Sequence, residues 1–211
     1  MPKIVLYFLF ACILFSCKRT NVPKPMGYLR IDLPKPSYQT VQLEEMPFVF
    51  NISTQAAIEI PTVEPTAMTS DDHPAMTSGK SSSTAKTIHW LNIDYPMLQA
   101  KIYCSYLPIS PQTLEVYEQE CRRFSMLAAG NAHTINEKKF ENKEMQVYGL
   151  LFLTEGASVS PVQFILTDSV SHFFRGALYY KEHLTNPDSI APIAERLSKD
   201  VVELVQSFFW K

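Results

Sequence analysis

Residues 167–176 (TDSVSHFFRG) gather the side chains best suited to chemistry. They hold the carboxylate of Asp168, the hydroxyls of Ser169 and Ser171, the imidazole of His172 and the guanidinium of Arg175. An acid, a histidine and a serine can carry out acyl transfer when the ring takes the serine proton and the carboxylate orients the ring. That chemistry needs the serine on a strained elbow beside its base. The nearest approximation, Gly156-Ala157-Ser158-Val159-Ser160, has serine where the elbow needs its second glycine, and no helix pattern follows it. The plainer reading is a hairpin. Asp168 and Ser169 bond the turn, and His172 opens the next strand.

Arg175 lies between Phe173 and Ala177 on one face of a predicted central strand. A guanidinium there is costly to bury unless it is paired. Its expected partner is Asp168, Asp94 or a carboxylate from a helix; the alternative is a ligand-binding role. His89-Trp90 reads as packing. No spacing of His, Cys, Asp and Glu fits a metal motif, and Asp71-Asp72-His73 falls in a segment with no fixed geometry to offer. No phosphate loop or dinucleotide fingerprint is present, so no cofactor is expected.

The elements that must position these residues follow from periodicity. Period-two alternation or β-forming composition predicts strands at 47–52, 57–60, 87–94, 100–107, 133–140, 145–153, 162–167 and 172–180. Apolar residues on both faces of the 145–153 and 172–180 strands predict that these are central and covered on both sides. Ser110-Pro111 opens a helix whose stripe is Leu114, Tyr117, Cys121, Phe124 and Ala128, ending near Gly130. A last helix, capped by Asp188 or Ser189, carries Ile190, Ile193, Ala194, Leu197, Val201, Leu204, Val205 and Phe208 as its stripe. Glu195, Arg196, Lys199, Asp200 and Glu203 are expected to face away. The result is an α+β fold: a mostly antiparallel sheet with an amphipathic helix on each face, a three-layer sandwich that resembles Mog1/PsbP-like folds by analogy. An analogy of fold assigns no function.

The N-terminus gives an address. Lys3 precedes an uninterrupted apolar run over residues 4–15, too short to span a bilayer as a helix. Leu14-Phe15-Ser16-Cys17 then forms a lipobox, in which cleavage before the cysteine follows lipidation of its thiol. Residues 1–16 are therefore expected to be a lipoprotein signal peptide, and Cys17 the lipidation site. Residues 17–46 contain Pro23, Pro25, Pro34 and Pro36 and read as a tether, partly docked through the apolar stretch 27–33. A single globular domain should occupy 47–211, interrupted by a Ser/Thr/Pro-rich insertion at 61–86 with too little apolar surface to order itself. With 19 Lys+Arg against 21 Asp+Glu and a formal charge of −2, nothing points to nucleic acid. Cys104 and Cys121 are either two buried thiols or, in an oxidising compartment, a disulfide.

Several stretches together resemble the gliding-motility lipoprotein GldD family of Bacteroidetes. They are 23–34 (PKPMGYLRIDLP), 91–96 (LNIDYP), 100–103 (AKIY), 160–164 (SPVQF), 166–169 (LTDS), 172–179 (HFFRGALY) and 208–211 (FFWK). Met26 stands where the family leads one to expect arginine, and Leu29 where it leads one to expect an aromatic residue. The resemblance implies a non-enzymatic envelope lipoprotein, a scaffold or assembly factor for gliding motility linked to type IX secretion. Its partners would be the membrane, through lipid on Cys17, and envelope proteins of that machinery. Lys18-Arg19-Thr20 after the cysteine lacks the acidic residues associated with surface export, so the expected place is the periplasmic face of the outer membrane. Arg175, His172, Asp168 and Arg30 are the candidate functional or buried polar residues. The rival readings are an envelope hydrolase built on Asp168 and His172, and a small-ligand or peptidoglycan binder built on Arg175.

One expectation follows from the lipobox alone. Cys17→Ala should leave a protein without acyl chains and with an uncleaved or miscleaved signal, as read by metabolic labelling with a fatty-acid analogue. Normal acylation of that variant would overturn the assignment.

Overall fold

The computed structural model describes residues 34–61, 88–130, 134–155, 158–180 and 187–211. Cys17, Arg30, the signal peptide, most of the tether and all of the 61–86 insertion except Pro61 lie outside the described residues. In chain order the elements are β1 (Tyr38–Gln42), β2 (Phe48–Ser53), β3 (Ala57–Glu59), β4 (His89–Tyr95), β5 (Ala100–Pro108), α1 (Pro111–Ala129), β6 (Thr134–Asn142), β7 (Val147–Glu155), β8 (Val162–Thr167), β9 (His172–Tyr180), α2 (Pro187–Ser207) and β10 (Phe209–Trp210). The strands form two sheets, a seven-stranded one ordered β3-β4-β5-β9-β8-β7-β6 and a three-stranded one ordered β1-β2-β10. Every pairing among the described residues is antiparallel. The fold is α+β, with one helix on each face of the large sheet, as the periodicity predicts.

Strand β9 is the middle strand of the seven, and its alternation divides the molecule. Phe174 and Leu178 point into the larger core with Leu91, Ile93, Ile102, Phe164 and the α2 stripe of Leu197, Val201 and Leu204. Phe173 points the other way, into a smaller core with Leu107, Ile165, Phe152 and Cys121 of α1. Gly176 stands opposite Phe164 in register. A Cβ there would collide with the Phe164 ring, so only glycine lets that ring lie against the strand. The helix α1 starts where Ser110-Pro111 places it: the Ser110 N–H donates to Thr113 Oγ1 at 3.0 Å. It ends at Gly130 with φ of 52°, a conformation that favours glycine.

Three expectations need correction. First, Tyr38–Gln42, assigned to the tether, is a strand paired along its whole length with β2. Second, α2 starts at Pro187 rather than after a cap at Asp188 or Ser189, and Pro192 lies in its interior. Third, Arg196 and Asp200 do not face solvent. They are 7% and 2% exposed. The reason is the small sheet: it covers the flank of α2 that the periodicity leaves polar. Tyr38 Oη donates to Asp200 Oδ1 at 3.1 Å, Arg196 Nε donates to the same oxygen at 3.1 Å, and Arg196 Nη1 donates to the Pro34 carbonyl at 2.8 Å. Glu203 is half-buried as well, and accepts from Asn51 Nδ2 at 3.3 Å. A buried ion pair of this kind specifies how β1 sits on α2 more than it stabilises the fold. Glu195 and Lys199, by contrast, are exposed as expected.

The apolar stripe of α2 sets a test. Leu204 is 2% exposed, and truncating such a side chain typically costs about 2–5 kcal/mol. Leu204→Ala should lower the thermal midpoint clearly, while Glu195→Ala should leave it nearly unchanged. Equal small shifts in a melting experiment would mean that this stripe does not face the core.

Candidate functional site

The segment that gathers Asp168, His172 and Arg175 in sequence separates them in space. Asp168 sits in the turn between β8 and β9. Its Oδ1 accepts the backbone N–H groups of Val170 at 2.9 Å, Ser171 at 2.8 Å and His172 at 2.8 Å, and its Oδ2 accepts the Ser171 hydroxyl at 2.8 Å. The turn closes through Thr167, whose hydroxyl donates to the His172 carbonyl at 2.7 Å and accepts from Ser169 N at 2.9 Å. Ser169 takes φ of 67° in the left-handed region, a local strain that these bonds hold in place. Burial alone would raise the Asp168 pKa, but the N–H groups of His172, Val170 and Ser171 and the Ser171 hydroxyl outweigh it and hold the carboxyl below its ordinary value.

His172 is turned toward α2 and the C-terminus. Its Nδ1 lies 2.9 Å from Tyr106 Oη, and its ring stacks on Trp210 at 5.0 Å between centroids. Tyr106 in turn lies 5.9 Å from the His89 ring and 5.6 Å from Phe48. His172 thus belongs to an aromatic seam joining β4, β5, β9 and β10. The Asp168 carboxylate bonds the backbone of its own turn, and the His172 Nδ1 bonds a phenol. The acid, imidazole and hydroxyl of an acyl-transfer relay are not assembled by this geometry.

Arg175 lies on the opposite face of β9, toward α1. Its Nε donates to Ser105 Oγ at 2.9 Å, directly across in register, and its Nη1 lies 3.9 Å from the Cys121 sulfur. Among the described residues it forms no ion pair. The expected partners, Asp168 and Asp94, are elsewhere: Asp168 is spent on its turn, and Asp94 lies 3.7 Å from Lys101 Nζ. Glu120 on α1 acts on the guanidinium only electrostatically, and burial lowers the Arg175 pKa despite it. The two thiols also divide by face. Cys104 belongs to the larger core and Cys121 to the smaller, and both are free. Burial pushes the Cys121 thiol up to about 11, away from a reactive thiolate. Ser105, the direct partner of Arg175, was not singled out from sequence. Its only signal was its place on the face opposite Cys104 in an alternating strand.

Among the described residues no group of His, Cys, Asp and Glu could hold a metal ion, and no helix is long and apolar enough to cross a membrane. Compared with protein families, the chain matches the model described as gliding motility lipoprotein GldD over residues 18–210. The chain belongs to that family. Among solved structures it is similar to the solution structure of cyanobacterial PsbP (CyanoP) from Synechocystis sp. PCC 6803. The two are 9% identical, the match covers 89% of this chain and 100% of that one, and the TM-score is 0.43. Comparison with curated proteins finds no match.

The Asp168 turn predicts a pH dependence. The folded pKa lies below the unfolded value, so the stabilisation is fully present above the ordinary carboxylate value of 3.8. It is lost as pH falls through the lowered folded value. Asp168→Asn should therefore destabilise the protein at neutral pH and approach the wild type in acid. A stability difference that stays constant down to strongly acidic pH would show that the carboxylate charge is not what holds the turn.

Proposed function

From that membership we propose that the chain is a cell-envelope lipoprotein, anchored through lipid on Cys17 at the periplasmic face of the outer membrane. There it acts without catalysis, as a scaffold or assembly factor for the gliding apparatus and the type IX secretion linked to it. The observation that carries this reading is the family match, which begins at residue 18, directly after the cysteine of the lipobox. The non-catalytic part rests on where the candidate groups are engaged: Asp168 on its own turn, His172 on Tyr106 and Trp210. Antiparallel layers around two apolar cores suit a binding module that meets its partners through its surface.

A deletion strain tests the proposal. Loss of the gene should abolish colony spreading and reduce secretion of type IX cargo proteins. The wild-type chain should restore both, and Cys17→Ala should restore neither. His172→Gln should complement if it melts like the wild type. Normal spreading and secretion by the deletion strain would refute the scaffold reading. A stably folded His172→Gln protein that fails to complement would instead favour the hydrolase.

A further inference from the structure

The face of the large sheet turned toward α1 carries two kinds of surface. Leu114, Tyr117 and Cys121 of α1 cover Phe152, Ile165 and Phe173. Beyond that cluster the same face continues across β4, β5 and β9 in rows set by register: Trp90, Ser105 and Arg175, then Asn92, Tyr103 and Ala177. Tyr103 is 38% exposed, and Trp90, Asn92, Arg175 and Ala177 are half-buried. The Tyr103 ring meets Tyr179 edge-on at 5.6 Å. On β4, β5 and β9 this face carries two cations among the described residues, and they are treated differently. Lys101 is matched by Glu59 at 2.7 Å and Asp94 at 3.7 Å. Among the described residues Arg175 has only the neutral Ser105 hydroxyl and the Cys121 thiol.

A recessed guanidinium with a fixed Nε and no carboxylate beside it is a half-made ion pair. Its desolvation cost is already incurred in the free protein, so an incoming carboxylate gains more from it than from an exposed lysine. We propose that the Arg175 face of β4, β5 and β9 is the docking surface for a protein partner. That partner supplies a carboxylate to Arg175 while Trp90 and Tyr103 take its apolar contacts. This inference rests on the scaffold reading above and adds the place and chemistry of the contact. A protein fits the surface better than a membrane or a nucleic acid. Anionic bilayers and phosphate backbones are recognised by clusters of cations, whereas one recessed arginine among tyrosine and tryptophan is the composition of a protein–protein hot spot.

The test uses the full-length lipoprotein in detergent and a fluorescein-labelled hexaglutamate peptide, with hexaglutamine and glycerol phosphate as controls. The wild type should bind hexaglutamate, more weakly at high salt, and should not bind hexaglutamine. Arg175→Met replaces the guanidinium with an apolar chain of similar reach and should keep the thermal midpoint. It should weaken hexaglutamate binding about tenfold or more. Asn92→Glu, at a half-exposed position in the next row of the same face, should weaken it likewise, and carries the test if Arg175→Met does not fold. No hexaglutamate binding by the wild type, or equal binding by both variants, overturns the inference. So does displacement by glycerol phosphate at concentrations where glutamate has no effect, which would assign the site to a phosphate headgroup. The scaffold reading fails separately, through a deletion strain that spreads and secretes normally.

Discussion

A stack of phenylalanines ties the two sheets and the last helix into one body. Phe48 of β2 lies 4.7 Å from Phe174 of β9 and 5.4 Å from Phe208, the residue that follows α2. Phe174 and Phe208 are themselves 5.4 Å apart and nearly parallel, and Phe50 stacks on both. Aromatic rings bury large apolar areas, about 150–250 Å² each. Because Phe208 is fixed against β2 and β9, the next two residues can only run beside β2. That is how β10 forms from Phe209 and Trp210. Trp210 then meets His172, and the aromatic seam closes the end of the larger core. The placement of β1, the burial of the α2 flank and the surroundings of His172 all depend on this stack.

The same geometry explains why a polar cluster in sequence becomes three separate sites. Neighbours in a strand point to opposite faces, so His172 and Arg175, an odd number of residues apart, cannot meet. The turn takes Asp168, the α2 side takes His172, and the α1 side takes Arg175. Each then satisfies the demands of its own layer. Asp168 gathers backbone N–H groups, His172 stacks in the aromatic seam, and Arg175 bonds the one hydroxyl directly across the ladder. Such a division suits a protein that works through its surfaces. Among the described residues the α1 side leaves Arg175 without a carboxylate partner, and the proposed docking rests on that.

Much of this was legible in local pattern. The strands from β4 to β9 and both helices lie where alternation, the Ser110-Pro111 start and the 3.6-residue stripes place them, within the few residues by which element ends vary. The central position of β9 follows from its apolar faces on both sides. Other features had no local signal. In Tyr38–Gln42 (YQTVQ) the alternation is weak and prolines precede it, so it reads as tether until β2 pairs with it. Arg196 and Asp200 fall on the polar side of a correctly predicted stripe. They are buried because a second sheet, formed by residues far away in the chain, lies over that side.

The sequence by itself determined most of the local elements, the faces of the strands from β4 to β9 and the motifs that mark the family. These depend on neighbours within a few residues, where propensity and periodicity act directly. Only the tertiary structure decided what each polar side chain meets. Arg175 finds Ser105 rather than Asp168 or Asp94, Cys104 and Cys121 lie on opposite sides of the sheet, and Asp200 is buried beneath Tyr38. The physical reason is that a strand's alternation fixes which face a side chain takes. The register and order of strands distant in sequence fix what lies opposite.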